Sequence, residues 1–419
     1  MKRVLLLLFS ACLLAASCSD GTEDVQTAVD GVTYQEDGKY QYEASLYEGA
    51  LTTEEMNLAK EMGKVDAQVF SALLEGKDDN VVYSPYSLEQ VVAMTLNGAG
   101  EETQQSVLSR YELRPGQLHL VNSLMRKVNR GMMEADKQVT IESANALWVN
   151  EKFPIYRSYA TCLESLYDAE VKGIDCQSDK AGSIINLWAS EKTHGAIDHV
   201  TPDGKQSWNV MLANAIYLNA PWVAPFQEKD TSRKNFTNMD GKEVEVDMMR
   251  IGVAFHYAKT EVGELLRVPI GSRRDFEVDF ILPAEGVSDP EAMADLDNLI
   301  EDARLVMVDF ELPRTNVTAN HMLSEPLSKA GLGTLWQSGT SRISPRKDLN
   351  MGVLTQQVNL KFEEKGVVAT AVTLESDISN REAGTVQEII PFHLNRPFYF
   401  LIRHNDLNFN LFMGRISKM

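Results

Sequence analysis

Val210-Met-Leu-Ala-Asn214-Ala-Ile-Tyr217, followed by Trp222, Phe226, Thr231 and Phe236 and then by Glu243-Val-Glu-Val-Asp-Met248-Met249, is the most specific run in this chain. Two strand-like segments, 210–217 and 243–249, bracket it, rich in the β-branched and apolar residues that suit a pleated, half-buried surface. Outward from this run, further strand-like segments read at 276–282, 305–312, 354–362, 397–403 and 410–416. Helical spacing alternates with them at 156–167, 183–191, 290–302 and 320–330. Nearer the N-terminus, Thr52-x-x-Glu55 is a capping box, and Leu58, Met62, Val65, Val69 and Leu73 recur on one helical face as far as Gly76. Ser84-Pro85, a cap residue and then a proline at the first helical position, announces a second helix ending near Gly98. No repeat or low-complexity linker divides residues 55–419, which read as one mixed domain of helices and strands.

Composition narrows the function. With 419 residues, 44% hydrophobic and 24% charged, the chain is neither disordered nor a disulfide miniprotein. Its 40 basic and 60 acidic residues leave a net charge of -20, which repels phosphate backbones, so a nucleic-acid partner is not expected. Cysteines stand only at 12, 18, 162 and 176, without metal-ligand spacing; Cys162 and Cys176 read as small buried residues rather than a disulfide. There is no Gly-x-Ser-x-Gly elbow, His-Glu-x-x-His pair or phosphate-binding loop, and His194 and His199 read as surface or capping residues. Neither an enzyme nor a cofactor or metal is expected.

Lys2-Arg3 and the apolar run Val4 to Ala16 form a secretory signal over residues 1–17, too short to span a bilayer. Ala15-Ala16-Ser17 before Cys18 resembles a bacterial lipobox, which implies cleavage there and diacylation of Cys18. Residues 18–54 follow as an acidic tether: from Ser19 to Met56 there are ten acidic residues and one lysine, Lys39, with no sustained apolar periodicity. Ser19-Asp20 with Glu23 and Asp24 is similar to the opening of surface-exported lipoproteins of the Bacteroidetes. The expectation is an outer-membrane lipoprotein at the cell surface, attached to the membrane through lipid alone.

Several segments in order resemble the serpin family. They are Asn80-Val-Val-Tyr-Ser-Pro-Tyr-Ser-Leu88 with Asn97-Gly-Ala-Gly-Glu-Glu-Thr103, Ile185-Asn-Leu-Trp188 with Thr193-His-Gly-Ala-Ile197, and the run quoted first. Arg396-Pro-Phe-Tyr-Phe-Leu-Ile-Arg-His404 and Leu411-Phe-Met-Gly-Arg-Ile416 complete the set. The resemblance implies an α+β serpin domain over residues 55–419, with three β-sheets and eight or nine helices. It also implies an exposed reactive-centre loop at about 364–391 that serves as protease bait. After cleavage, the loop of such a protein inserts into the central sheet as an additional strand.

On the family register, Glu364 and Gly366 form the hinge, and Val367, Ala369, Ala371 and Thr373 enter the sheet's buried face; none is charged or large. Gly366 is expected to supply freedom to bend. The departures are Val367, where many members carry threonine, and Val368, where inhibitory members often carry an acid. Ser84, Ser87 and Asn214 match a polar cluster that governs sheet opening, with Gln356 in place of the usual histidine. The implied function is a suicide inhibitor of serine proteases, with cysteine proteases as a second target class, acting as a monomer. The alternative is a non-inhibitory serpin-fold protein that binds a partner at the cell surface. Counting from the hinge puts the scissile bond at Asn380-Arg381; counting back from Pro397 puts it between Ala383 and Val386. Arg381 suits a trypsin-like pocket and stands ahead of Thr385 and Val386, which suit an elastase-like one.

Overall fold

The computed structural model describes residues 27–38, 47–287, 296–337, 340–352, 354–367 and 389–419. The chain enters as a hairpin, β1 (Thr27–Val29) and β2 (Val32–Gln35), and then forms α1 (Thr53–Leu74). β3 (Val81–Tyr83) leads into α2 (Pro85–Asn97), α3 (Glu101–Arg110) and α4 (Leu118–Glu134). Next come β4 (Thr140–Asn150), β5 (Ile155–Tyr156), α5 (Arg157–Tyr167), β6 (Glu170–Ile174) and α6 (Ala181–Lys192). β7 (Val210–Pro221), β8 (Ser232–Thr237), β9 (Glu243–Lys259), β10 (Gly263–Ile270) and β11 (Phe276–Pro283) follow in succession. After a helix at Leu296–Asp302 come β12 (Arg304–Pro313) and β13 (Thr315–Met322). Short helices at Ser324–Lys329 and Thr334–Gln337 precede β14 (Thr355–Glu363) and β15 (Gly366–Val367). β16 (Ile390–His393), β17 (Phe398–His404) and β18 (Phe409–Ile416) close the chain.

Three sheets result, so the fold is α+β. The largest runs β16-β12-β9-β10-β11-β17-β18-β3, with β8 on β9; the second runs β13-β14-β15-β7-β4-β6; the third joins β1, β2 and β5. The first two meet through aromatic rings: Phe280 of β11 lies 5.5 Å from Phe362 of β14 and 5.6 Å from Phe310 of β12, centroid to centroid. α2 is buried on every side from Pro85 to Leu96, its polar Glu89 and Gln90 included, and packs under β7 and β18. The capping box holds at Thr52, whose hydroxyl accepts from the Glu55 N–H at 3.2 Å while the Glu55 carboxylate accepts from the Thr52 N–H at 2.7 Å. Ser84 caps α2 through the Ser87 N–H, with Pro85 at the first position.

Two expectations need correction. The segment 320–330 is not one helix: Asn320 to Met322 end β13, where pairing with β14 overrides the helical spacing, and helix starts only at Ser324. Residues 27–37 are not tether. Val32 and Tyr34 are buried, β2 pairs in parallel with β5, and the Asp37 carboxylate caps α5 by accepting from the Ser158 N–H at 3.1 Å. Cys162 and Cys176 are both buried and no disulfide joins them, as read from the sequence.

Candidate functional site

The site is a seam in the six-stranded sheet. β7 is laddered to β4 along nearly its whole length, from Thr140↔Asn219 to Val149↔Val210, and β14 to β13 from Thr315↔Phe362 to Met322↔Thr355. Among the described residues, β7 and β14 share no ladder with each other; Gly366 and Val367 stand between them at one end, and Met351, bridged in parallel to Val210, closes the other. Val367 pairs with Phe362 on one side and Ala220 on the other, and Gly366 with Glu363 and Pro221. Val367, Phe362 and Ala220 are all fully buried. The two residues that follow the turn after β14 are therefore already a strand within the sheet.

Several groups hold that turn. Trp222 donates from Nε1 to the Glu363 carbonyl at 2.8 Å and from its backbone N–H to the Lys365 carbonyl at 3.0 Å. The Phe226 N–H donates to the Glu364 carbonyl at 2.9 Å. The Glu364 carboxylate accepts from Thr231 Oγ1 at 2.8 Å and pairs with the Arg314 guanidinium. Burial alone raises the Glu364 pKa, but the hydrogen bonds from Arg314 and Thr231 outweigh it and hold the carboxyl below its ordinary range. Trp222, Phe226 and Thr231 belong to the run quoted first, whose spacing sets this clamp. Gly366 is required for a different reason than expected: a Cβ there would overlap the Ala220 carbonyl and the Pro221 backbone, so space rather than conformational freedom selects glycine.

Lower in the seam the predicted polar cluster divides. Ser84 and Gln356 are bonded twice, Ser84 N–H to Gln356 Oε1 at 2.8 Å and Gln356 Nε2 to the Ser84 carbonyl at 2.9 Å, while Ser84 Oγ donates to the Leu411 carbonyl at 2.6 Å. Ser87 joins them through the cap of α2. Asn214 does not; it donates to Ser143 Oγ at 3.0 Å and Asn145 Oδ1 at 2.9 Å across β4. Asn214 and Gln356 line the same crevice between β7 and β14, and the buried Asn214 Oδ1 has no partner among the described residues. The sequence reading missed His321, which neighbours Gln356 in register and donates from Nε2 to the Val82 carbonyl at 3.0 Å. The family histidine is absent from β14, yet an imidazole stands one strand away. Burial, with Lys77 adding to it, drives its pKa down to about 4, so it is neutral.

At the far end of the loop, β16 is held in parallel to β12. His393 of β16 meets Asp309 at 3.2 Å, and Asp309 and Glu311 are neutralised by Arg250 and Lys234, so this cluster is an ion-paired clasp. Cys18, Ala369, Ala371, Thr373, Asn380, Arg381, Thr385 and Val386 lie outside the described residues.

These features define an α+β protein whose six-stranded sheet holds two residues of the segment after β14 between β7 and β14. Residues 61–419 match the family model described as Serpin (serine protease inhibitor). Plasminogen activator inhibitor 1 of Sus scrofa is 28% identical over 401 residues, covering 88% of this chain and 95% of that protein. Serpin B3 of Homo sapiens is 25% identical over 383 residues, covering 84% and 96%. The crystal structure of Serpin48 from the insect Tenebrio molitor superposes with a TM-score of 0.76 at 21% identity, covering 88% of this chain and all of that one. The chain belongs to the serpin family.

Proposed function

We propose that this serpin is a suicide inhibitor of serine proteases, with cysteine proteases as a second target class, held at a bacterial cell surface by a diacylated Cys18. The observation that carries the proposal is the seat of Val367, buried between β7 and β14 in ladder register with both. Continued down the seam, that register would set Ala369 beside Leu218 and Leu360, Ala371 beside Ile216 and Val358, and Thr373 beside Asn214 and Gln356. The first four of those neighbours are buried and apolar, which suits two alanines. At the third level the Thr373 hydroxyl would donate to the orphaned Asn214 Oδ1. Side-chain character along the loop thus agrees with the walls of the seam at each level.

The chemistry follows from this match. A protease attacks the loop, and the acyl-enzyme ester forms as the leaving amine departs. The freed N-terminal arm then forms ladder hydrogen bonds with β7 and β14 and carries the attached enzyme down the sheet. Inhibition results if insertion outruns deacylation. Arg381 is the proposed specificity residue, with Asn380 as the alternative from the same count and Thr385 or Val386 as the elastase-like alternative. Incubation with trypsin-, chymotrypsin- and elastase-like proteases should give complexes that survive SDS. Mass spectrometry of the released C-terminal peptide should show it starting next to the specificity residue. Complete turnover of the loop by every protease, with no complex, would refute the inhibitory reading.

A further inference from the structure

The N-terminal hairpin docks at a particular end of the six-stranded sheet. The hinge enters where β7 finishes, at Ala220 and Pro221. The hairpin lies where β7 begins: Val149 of β4 pairs with Val210, and Asn150 pairs with Ile174 of β6. There, the Gly173 N–H donates to the Asp30 carbonyl at 3.1 Å and Thr33 Oγ1 to the Glu151 carbonyl at 3.0 Å. Tyr34 is only 3% exposed, with the Arg157 guanidinium 4.1 Å from its ring centroid. At about 3.3 Å per residue, the length of β7 puts roughly 33 Å between the hairpin and the point of loop entry. From Thr27 back to Cys18 the chain can reach at most about 32 Å.

We infer that the hairpin fixes the anchored protein on a lipid surface with its bait loop at the pole facing away, and that capture carries the protease to the membrane-side pole. This rests on the anchored-inhibitor reading. In the register of Val367 with Ala220, Asn380 of the inserted arm comes level with Ser207, just beyond the start of β7 and at the same end of the sheet as the hairpin, where Asn350 and Met351 would have to give way. A freely flexible tether would impose no such geometry. The docked hairpin removes residues 27–37 from the tether and leaves it only residues 19–26.

The test uses the mature chain from Ser19, with an N-terminal polyhistidine tag replacing Cys18, on phosphatidylcholine vesicles that contain nickel-chelating lipid and acceptor-labelled lipid. Lys152→Cys marks the hairpin pole and Lys229→Cys the hinge pole; both lysines are exposed, and the native thiols at 162 and 176 are buried. Energy transfer to the membrane should be several-fold greater from position 152 than from 229. Tyr34→Asp, which undocks the hairpin, should abolish the difference while leaving the circular dichroism spectrum unchanged. Equal transfer from the two poles of the unaltered hairpin protein would overturn the orientation. Donor-labelled trypsin provides the second arm: with its active serine replaced it should bind at the far pole with low transfer, and in an SDS-stable complex transfer should rise several-fold. A stable complex without that rise would overturn the translocation toward the membrane. If no complex forms, the inhibitor reading fails, and the orientation is still decided by the two lysine positions.

Discussion

The two sides of β7 are unlike. Toward β4 the backbone groups are paired from Asn219 down to Val210; toward β14, among the described residues, β15 pairs with Ala220 and Pro221 at one end and Met351 bridges Val210 at the other, with no strand laddered to β7 from Met211 to Leu218. In the nine-stranded sheet successive strands are laddered directly to one another among the described residues, and Phe280, Phe310 and Phe398 lock its core by ring contacts. One sheet is therefore complete as folded, while the other has a place for more chain. Burial of Phe362 and Val367 at the upper end of that place shows that the seam opens onto the same core, so an entering strand need not create a new one.

Filling the seam gives the largest expected effect. If each ladder hydrogen bond contributes a net of roughly 1 kcal/mol, insertion on both sides should raise Tm by about 20 °C or more after loop cleavage. Scanning calorimetry of cleaved and intact protein measures it, and an unchanged Tm would show the two sides of β7 to be equivalent after all. Val367→Arg comes next. Burying an unpaired guanidinium at the first inserted level costs about 3–5 kcal/mol. The loop should still be cut, but the stoichiometry of inhibition, read on denaturing gels, should rise at least roughly tenfold by that cost.

The closed side of the molecule makes its own prediction. Asp66 of α1 and Glu89 of α2 are buried with no cation beside them among the described residues; Tyr83 donates to Asp66 at 2.9 Å and Tyr111 to Glu89 at 2.8 Å. Burial pushes Asp66 up to about 7 and Glu89 well above its ordinary value. Between the ordinary carboxylate range and about 7 the folded chain keeps a proton that the unfolded chain has lost. Stability from this pair is thus full below pH 4 and declines as pH rises through 7. The depressed His321 acts oppositely, gaining stability as pH rises from about 4 through its unfolded value. Asp66→Asn should flatten the neutral-pH decline in urea midpoints by on the order of a few kcal/mol; an unaltered profile would mean that the pair is not its source.

Smaller effects test the seam's edges. Gln356→Ala strands the Ser84 N–H, while the Ser84 carbonyl keeps its bond from the Leu88 N–H, and should cost roughly 1–3 kcal/mol in urea unfolding. Glu364→Gln removes a pair whose Arg314 partner is half exposed, so about 1 kcal/mol or less is expected. A larger loss from Glu364→Gln than from Gln356→Ala would place the main restraint on the seam at the hinge rather than at the cluster.

Local rules made the capped helices and most strands legible, because Thr52-x-x-Glu55, Ser84-Pro85 and the apolar runs each specify their own geometry. What escaped depends on partners distant in sequence. β15 has two residues, too few for any periodicity, and exists because Ala220 and Phe362 flank it. His321 comes beside Gln356 only through the pairing of β13 with β14. The hairpin did leave a signal: Asp30-Gly31 between valines is a tight-turn pair, and both residues adopt positive φ, 51° and 76°. The acidic composition around it suggested solvation instead, and only the pairing with β5 reveals a folded element.

Trp222, whose indole donates to the Glu363 carbonyl and lies 6.0 Å from the Phe362 ring, is also an optical instrument built into the hinge. Trp208, buried beside the start of β7, occupies the opposite end of the same seam. A strand entering the seam as proposed would pass these two fluorophores in order, so stopped-flow emission from the unlabelled protein should contain two phases. Trp222→Phe should remove the earlier phase and Trp208→Phe the later one, and the interval between them gives the transit time of the strand along the sheet.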